Sequence, residues 1–199
     1  MNFAVLVSGR GTNLQAIIDA VKNRRIKAHL KLVVSDKKNA YALIRSRKAG
    51  IKNIFIDPAC FKDREYFDRE LVKNFKNEKI DFIVLAGFMR ILSPYFIRTF
   101  KNKILNIHPA LLPAFKGAHA IKDAYTYGAK ITGVTVHFVD EKVDHGPIIL
   151  QESLAINPKD SLSALEVKIH AVEHRLYAQA INLFARKQLK ISGRKVKIL

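Results

Sequence analysis

Phe3-Ala4-Val5-Leu6-Val7-Ser8-Gly9-Arg10-Gly11-Thr12-Asn13-Leu14 stands at the start of the chain. The apolar run predicts a buried strand, and the two glycines after it turn the chain into a helix over residues 14–20. Backbone N–H groups at the start of such a helix favour an anion, so a phosphate site is one interpretation. A plain tight turn and a dinucleotide fingerprint with Asp36 as its ribose-binding acid are the alternatives, although Leu14 replaces the third glycine of that fingerprint.

Short apolar runs alternate with helical patterns along the rest of the chain, which is typical of an α/β protein. The longest predicted helix begins at Asp160 or Ser161, both good N-cap residues. We therefore expect one domain with a doubly wound, mostly parallel open sheet of about seven strands and helices on both faces. In such sheets, ligands bind beyond the carboxyl ends of the strands. The predicted strands cover residues 3–8, 30–35, 53–56, 82–85, 104–107, 131–138 and 148–154.

The composition limits the class of protein. A chain of 199 residues with 49% hydrophobic content can bury one substantial core. Its single cysteine, Cys60, excludes an internal disulfide framework and a four-cysteine metal site. No apolar stretch is long enough to span a bilayer, and no signal peptide is recognisable. We expect a cytoplasmic protein without membrane contact.

The net charge of +18, from 35 Lys and Arg against 17 Asp and Glu, raises the question of nucleic-acid binding. The basic residues are scattered, however, and neither an aromatic-interleaved basic stretch nor zinc-finger spacing occurs. Only the tail is one-sided, because no acidic residue follows Glu173. We interpret the charge as a solvated surface that also attracts small polyanions, and nucleic acid is not an expected partner.

The second strand end with an unusual sequence is Leu85-Ala86-Gly87-Phe88-Met89-Arg90-Ile91-Leu92. An apolar strand is followed there by a bulky, mainly apolar loop. Such a loop either packs under a neighbouring segment or forms a wall for a flat, partly apolar ligand.

The third strand end carries chemically active side chains in Asn106-Ile107-His108-Pro109. Residues two apart on a strand point to the same side, so an amide donor and an imidazole share one side here. A buried histidine is more often a hydrogen-bonded core residue than a catalytic one. The loop of residues 139–147 holds three carboxylates, and it is either a simple hairpin turn or a source of a carboxylate for His108. Such a carboxylate would orient the imidazole and favour its charged form.

Four stretches match a known family, and they are residues 8–17, 85–92, 106–113 and 137–149. On these residues the chain resembles the 10-formyltetrahydrofolate-dependent formyltransferases over nearly its whole length. The asparagine, histidine and aspartate are common to these enzymes and to the related deformylases. The loop of residues 9–13 and Glu173 resemble the members that act on glycinamide ribonucleotide. Family members often carry glycine at the position of His145.

The resemblance implies a role for each matching residue. The catalytic residues would be Asn106, His108 and Asp144. The substrate phosphate and ribose would lie against Gly11, Thr12, Asn13, His170 and Glu173. The folate would contact Arg64, Met89, Arg90, Ile91, Leu92, Asn106, Val139, Asp140, Glu141 and Asp144. The phosphate-binding half would span residues 1–100, and the catalytic and folate-binding half residues 101–199.

The implied reaction moves a formyl group from 10-formyltetrahydrofolate, as cosubstrate, to the amine of 5′-phosphoribosylglycinamide in purine synthesis. Asn106 and protonated His108 would stabilise the oxyanion, and Asp144 would assist proton transfer through water. No metal is required, the expected partners are small molecules, and the enzyme would be a monomer or a homodimer.

Rival interpretations fit the sequence less well. His170-Ala171-Val172-Glu173-His174 matches a zinc-protease signature, but no acidic third ligand follows it. A methionyl-tRNA formyltransferase normally carries an additional C-terminal domain, and a formyltetrahydrofolate deformylase an N-terminal one, for which we expect no room. An RNA-binding protein would leave the three catalytic candidates unexplained.

Overall fold

The computed structural model describes residues 1–199 and contains one sheet of nine strands. The strands are β1 (Asn2–Val7), β2 (His29–Ser35), β3 (Asn53–Phe55), β4 (Phe82–Leu85), β5 (Ile104–His108), β6 (Ile131–Phe138), β7 (Ile148–Ala155), β8 (Leu189–Ser192) and β9 (Lys195–Ile198). The helices are α1 (Thr12–Lys22), α2 (Tyr41–Lys48), α3 (Arg64–Asn77), α4 (Pro94–Thr99), α5 (Ala120–Tyr127) and α6 (Leu162–Ala185).

The strand order is β3-β2-β1-β4-β5-β6-β7-β9-β8. The first five of these strands are parallel, β6 is antiparallel to both of its neighbours, and β9 is parallel to β7. The chain winds outward from β1 to β3 and then from β4 to the other edge, so the direction of winding reverses between β1 and β4. The predicted doubly wound, mostly parallel α/β fold is confirmed, and sheets of this kind bind ligands in the crevice at such a reversal.

The predicted count of about seven strands was two short, because the basic tail forms the hairpin β8–β9 at one edge. Leu189 and Ile191 pack against the core, whereas the lysines between and after them are exposed. This alternation, with Gly193 at the turn, was the signal of a hairpin. No strand was predicted for this segment, because only its charge was interpreted.

Helices cover both faces of the sheet, as predicted. In β1, Phe3, Val5 and Val7 point into a cluster shared with α1, α2 and α6. Ala4 and Leu6 point into a second cluster, which is shared with α3 and α4. The period of two along a buried strand thus produces two apolar layers.

Capping fixes where the longest helix begins. The hydroxyl oxygen of Ser161 accepts a hydrogen bond from the N–H of Ala164 at 3.2 Å, so α6 begins at Leu162. Ser161 was one of the two predicted N-caps. None of the six helices combines the length and the apolar content needed to cross a bilayer.

Tyr177 joins α6 to the strands that carry the site. Its buried hydroxyl lies 2.8 Å from the carbonyl oxygen of Leu85 and 2.9 Å from that of Leu105, in the neighbouring strands β4 and β5. Burial raises the pKa of this phenol well above its usual value of 10.0, so the hydroxyl keeps its proton and donates it to these oxygens. Tyr177 therefore holds the helix in register with the sheet centre.

We expect Tyr177→Phe to lower the free energy of unfolding by about 1–3 kcal/mol, because it leaves buried carbonyl oxygens without their donor. Urea unfolding at an unchanged m-value measures this loss. Tyr127→Phe is the matched control, since Tyr127 is 81% exposed. Equal stability of the two variants would show that the buried hydroxyl contributes nothing.

Candidate active site

Three side chains meet where β5 ends. Leu105 and Ile107 point into the core under α6, so Asn106 and His108 share the other side of the strand. Asp144 arrives from the loop between β6 and β7, and its Oδ2 lies 3.4 Å from Nδ1 of His108. The carboxylate predicted to approach His108 is therefore Asp144.

His137 determines how the Asn106 amide is turned. It lies opposite Asn106 on β6, and its Nδ1 is 2.8 Å from the carbonyl oxygen of Phe138. Burial lowers the pKa of His137 below the usual 6.5, so the ring is neutral and Nδ1–H is its only donor. Nε2 therefore accepts a hydrogen bond from Nδ2 of Asn106 at 3.2 Å. The second N–H of that amide stays free for a substrate oxygen.

Both ring nitrogens of His108 face oxygen atoms. Nε2 lies 2.8 Å from the carbonyl oxygen of Phe115, and Nδ1 faces the carboxylate of Asp144. A neutral imidazole could donate to only one of these acceptors, whereas the imidazolium donates to both. Only the protonated ring has a donor for each acceptor, and a protonated donor is the better stabiliser of an oxyanion.

Asp144 is held in an unusual backbone conformation. Its φ of 47° lies in the left-handed region, which non-glycine residues rarely adopt. The side chain is 9% exposed, and its Oδ2 also accepts the N–H of Gly117 at 2.9 Å. Gly146 follows closely, and a Cβ there would stand 1.7 Å from the carbonyl oxygen of Phe138. The loop returns to β7 only because this position is glycine.

The predicted phosphate loop lies at the carboxyl end of β1. Gly11 is the N-cap of α1 with a φ of 72°, and Thr12 and Asn13 follow in the first turn. Arg45 of α2 supports the loop, since its Nε–H donates to the carbonyl oxygen of Arg10 at 3.0 Å. The N–H groups of the first turn of α1 have no intrahelical partners and are available to an anion.

Glu173 and His170 of α6 lie beside this loop, although about 160 residues separate them from it along the chain. Oε2 of Glu173 accepts Nδ2 of Asn13 at 3.4 Å and Nδ1–H of His170 at 2.7 Å. Glu173 is 4% exposed, and Oδ1 of Asn13 is buried without a partner. The carboxylate's second oxygen remains open to a hydroxyl ligand.

The predicted folate wall divides into exposed and buried parts. Met89 and Ile91 are 69% and 58% exposed, so two large apolar side chains face solvent beyond β4. Leu92 differs, because its side chain packs in the core beside α3 and α4. Arg90 lies over the ring of Phe67 at 4.9 Å. These residues line one side of the crevice, with Leu92 supporting it from beneath.

Buried Asp68 of α3 anchors the end of this wall. Its carboxylate accepts the N–H of Ser93 at 2.5 Å, and desolvation raises the pKa of Asp68 above its usual value. Arg64 begins the same helix and is exposed. The structure thus places Arg64 on the helix that fixes the wall.

The loop of residues 139–146 forms the opposite side of the crevice. Val139 and Asp140 are partly buried, and Glu141 is exposed and pairs with Arg98 of α4 at 3.1 Å. The segment that follows β5 closes over the same place. Its anchor is buried Thr135, whose hydroxyl donates to the carbonyl oxygen of Ala110 at 2.6 Å.

The histidine pair of the alternative zinc signature has a different environment. His170 is occupied by its hydrogen bond to Glu173, and His174 is partly buried with its Nε2 unpartnered. No cluster of three or more His, Cys, Asp or Glu side chains has the arrangement of a metal site.

The profile of one protein family, described as formyl transferase, matches residues 1–181. The chain belongs to the formyl transferase family. Phosphoribosylglycinamide formyltransferase of Escherichia coli (strain K12) is 42% identical to it over 191 residues, which cover 96% of this chain and 90% of that protein. The trifunctional purine biosynthetic protein adenosine-3 of Drosophila melanogaster is 44% identical over 95% of this chain, which spans only 14% of that longer protein.

Solved structures of formyl transferases agree with this placement. The crystal structure of glycinamide ribonucleotide transformylase 1 from Symbiobacterium toebii superposes with a TM-score of 0.98 at 45% identity. The superposition covers 100% of this chain and 94% of that one. Phosphoribosylglycinamide formyltransferase from Bacillus halodurans gives a TM-score of 0.91 at 41% identity, over 94% of this chain and 96% of that one.

Sequence reasoning missed His137, Phe115 and Gly117 as neighbours of the catalytic candidates. His137 had a usable signal, since it is the one titratable side chain in the strand Ile131–Phe138. Phe115 and Gly117 contribute only backbone groups, so their side chains gave no signal.

The hydrogen bond to Glu173 is the main cause that raises the pKa of His170 above 6.5. Because the pKa of His170 is higher in the folded state than in the unfolded state, its pair with Glu173 makes its full contribution to stability at pH values below the unfolded-state pKa. That contribution disappears as the pH rises through the folded pKa. We expect Glu173→Gln to lower the pKa of His170 in an NMR titration of the histidine C–H signals.

Glu166→Gln is the matched control, because Glu166 raises the pKa of His170 only through its charge. A smaller change is therefore expected from it. An unaltered titration of His170 in Glu173→Gln would disprove the hydrogen bond.

Proposed function

We propose that this chain transfers a formyl group from 10-formyltetrahydrofolate to the amine of 5′-phosphoribosylglycinamide. The products are formylglycinamide ribonucleotide and tetrahydrofolate, in de novo purine biosynthesis. One observation carries the proposal: Asn106, His108 and Asp144 meet at the end of β5, in a crevice with an anion loop on one side and an apolar wall on the other. The curated and solved relatives named above support it.

The acceptor side of the crevice suits a phosphorylated ribose. The first turn of α1, with Gly11, Thr12 and Asn13, would hold the phosphate through backbone N–H groups. Glu173 would accept hydrogen bonds from the ribose hydroxyls, because its buried carboxylate keeps one oxygen unused. His170 would add positive charge near the phosphate when protonated.

The donor side suits the flat ring system and acidic tail of a folate. Met89 and Ile91 are exposed to an unusual extent for large apolar side chains, and burying them against a ligand is favourable. Arg64 and Arg90 supply positive charge for glutamate carboxylates, and residues 139–144 would cover the ring system. Within this segment, the residues expected to contact the folate are Val139, Asp140 and Glu141.

The chain's own groups stabilise the charge that forms when the acceptor amine adds to the formyl carbon. The free N–H of Asn106 and an N–H of His108 would donate to the formyl oxygen. The Nε2–H of His108 becomes available when the substrate oxygen replaces the carbonyl of Phe115 as its acceptor. Each such donor typically lowers the barrier by about 3–4 kcal/mol.

Asp144 would orient His108 and would move the proton from the attacking amine to the departing nitrogen through a water molecule. Positioned proton transfer of this kind typically contributes about 10²- to 10⁴-fold in rate. Residues 1–199 would form one cytoplasmic formyltransferase domain, as a monomer or a homodimer. This domain would need no metal and would bind no nucleic acid. Residues 1–100 carry the phosphate loop, and residues 101–199 carry the catalytic group.

The test follows the absorbance of tetrahydrofolate released from the 10-formyl donor, with and without the ribonucleotide. We expect release only with the ribonucleotide, and a fall of about 10²- to 10³-fold in kcat for His108→Ala. His29→Ala is the control, because His29 is exposed at the far end of β2. Release without the acceptor would indicate a deformylase, and no release under either condition would contradict the proposal.

Asp144→Asn keeps the size of the side chain and an oxygen for the N–H of Gly117, but it removes the charge beside His108. We expect kcat to fall by about 10²-fold or more, with KM for both substrates nearly unchanged. Steady-state kinetics with each substrate varied in turn measures the two effects separately. Unchanged turnover at saturating substrates would remove Asp144 from the mechanism.

A further inference from the structure

The C-terminal hairpin touches the loop that carries Asp144. Arg194 lies at the hairpin turn, between β8 and β9, and its Nη2–H donates to the carbonyl oxygen of His145 at 2.6 Å. The other terminal nitrogen of Arg194 lies 3.2 Å from both ring nitrogens of His145. One guanidinium thus contacts both the backbone and the ring of the residue next to Asp144.

His145 connects Arg194 to the rest of the loop. Its Nδ1 lies 2.7 Å from Oδ2 of Asp140, and Oδ1 of Asp140 accepts the N–H of Lys142 at 3.0 Å. The loop is therefore closed across its base by its own side chains, and Arg194 holds that base from outside.

Asp144 needs such support because of its left-handed backbone, with a φ of 47°. A strained conformation persists only where surrounding contacts determine it. The loop is anchored before Asp144 by the N–H of Val139, which donates to the carbonyl oxygen of Ile104 at 2.9 Å, and after it by the close packing of Gly146. From outside the loop, the N–H of Gly117 holds the side chain of Asp144, and Arg194 holds the backbone of the next residue.

The sheet fixes where Arg194 stands. β9 pairs with β7 in parallel, with Lys195 opposite Ile148. Residue 194 is therefore held beside the chain that returns from the loop into β7. The register between β9 and β7 thus determines a contact one residue away from a catalytic candidate.

We propose that Arg194 is a positioning residue, which holds the loop of residues 140–145 so that Asp144 faces His108. The catalytic consequence rests on the proposed function, whereas the ordering of the loop does not. The basic hairpin is then part of the formyl-donor side of the site and not only a charged surface.

The test compares Arg194→Ala, Arg194→Lys and the control Lys197→Ala, whose exposed side chain is on the same hairpin. Amide hydrogen exchange of residues 140–145 is measured first, without substrates. We expect exchange to be roughly tenfold faster in Arg194→Ala, close to wild type in Lys197→Ala, and partly restored in Arg194→Lys. In steady-state assays, Arg194→Ala should lower kcat about tenfold to a hundredfold, with KM for the ribonucleotide unchanged.

Unaltered exchange of the loop in Arg194→Ala would overturn the proposal, and so would equal acceleration in Lys197→Ala, which would indicate loss of the whole hairpin. Because hydrogen exchange requires no turnover, its outcome stands even if the chain fails to transfer a formyl group. A separate failure of the proposed function would appear only in the wild-type assay.

Discussion

The pairing of β5 with β6 determines how the groups of the proposed catalytic centre meet. Because β6 runs antiparallel to β5, His137 lies opposite Asn106, and Thr135 lies opposite His108. The chain leaves β6 beside these residues and returns Asp144 to them within one short loop. The register of one strand pair thus places the amide, the imidazole and the carboxylate. A slip of β6 by one residue would point His137 and Thr135 to the other face of the sheet.

Two buried histidines of this centre have different surroundings. Desolvation lowers the pKa of His137, so it acts as a neutral acceptor that turns the Asn106 amide. The two ring nitrogens of His108 instead face two oxygen acceptors, the carbonyl of Phe115 and the carboxylate of Asp144. In the proposed mechanism, one N–H of Asn106 and one of His108 would then serve a single developing charge.

The sequence predicted the parts of the structure that depend on local pattern. The first seven strands along the chain follow from apolar runs, and the Asn106–His108 spacing follows from strand geometry. Leu92 and the hairpin β8–β9 show where a local pattern is insufficient, because burial of Leu92 depends on α3 and α4, and the hairpin's four apolar residues stand among four basic ones. The contacts of Phe115 and Gly117 are made by backbone groups, which no side-chain pattern reveals. The opposition of His137 to Asn106 required the register between strands.

The account's central claim is that the group at the end of β5 moves a formyl carbon directly between two substrates. The most direct test is NMR with a ¹³C-labelled formyl group on the folate and a ¹⁵N-labelled amine on the glycinamide ribonucleotide. The account predicts that a ¹³C–¹⁵N coupled formamide signal appears as fast as tetrahydrofolate is released, without free formate. Labelled formate in place of the coupled signal would contradict it, because the carbon would then have passed to water.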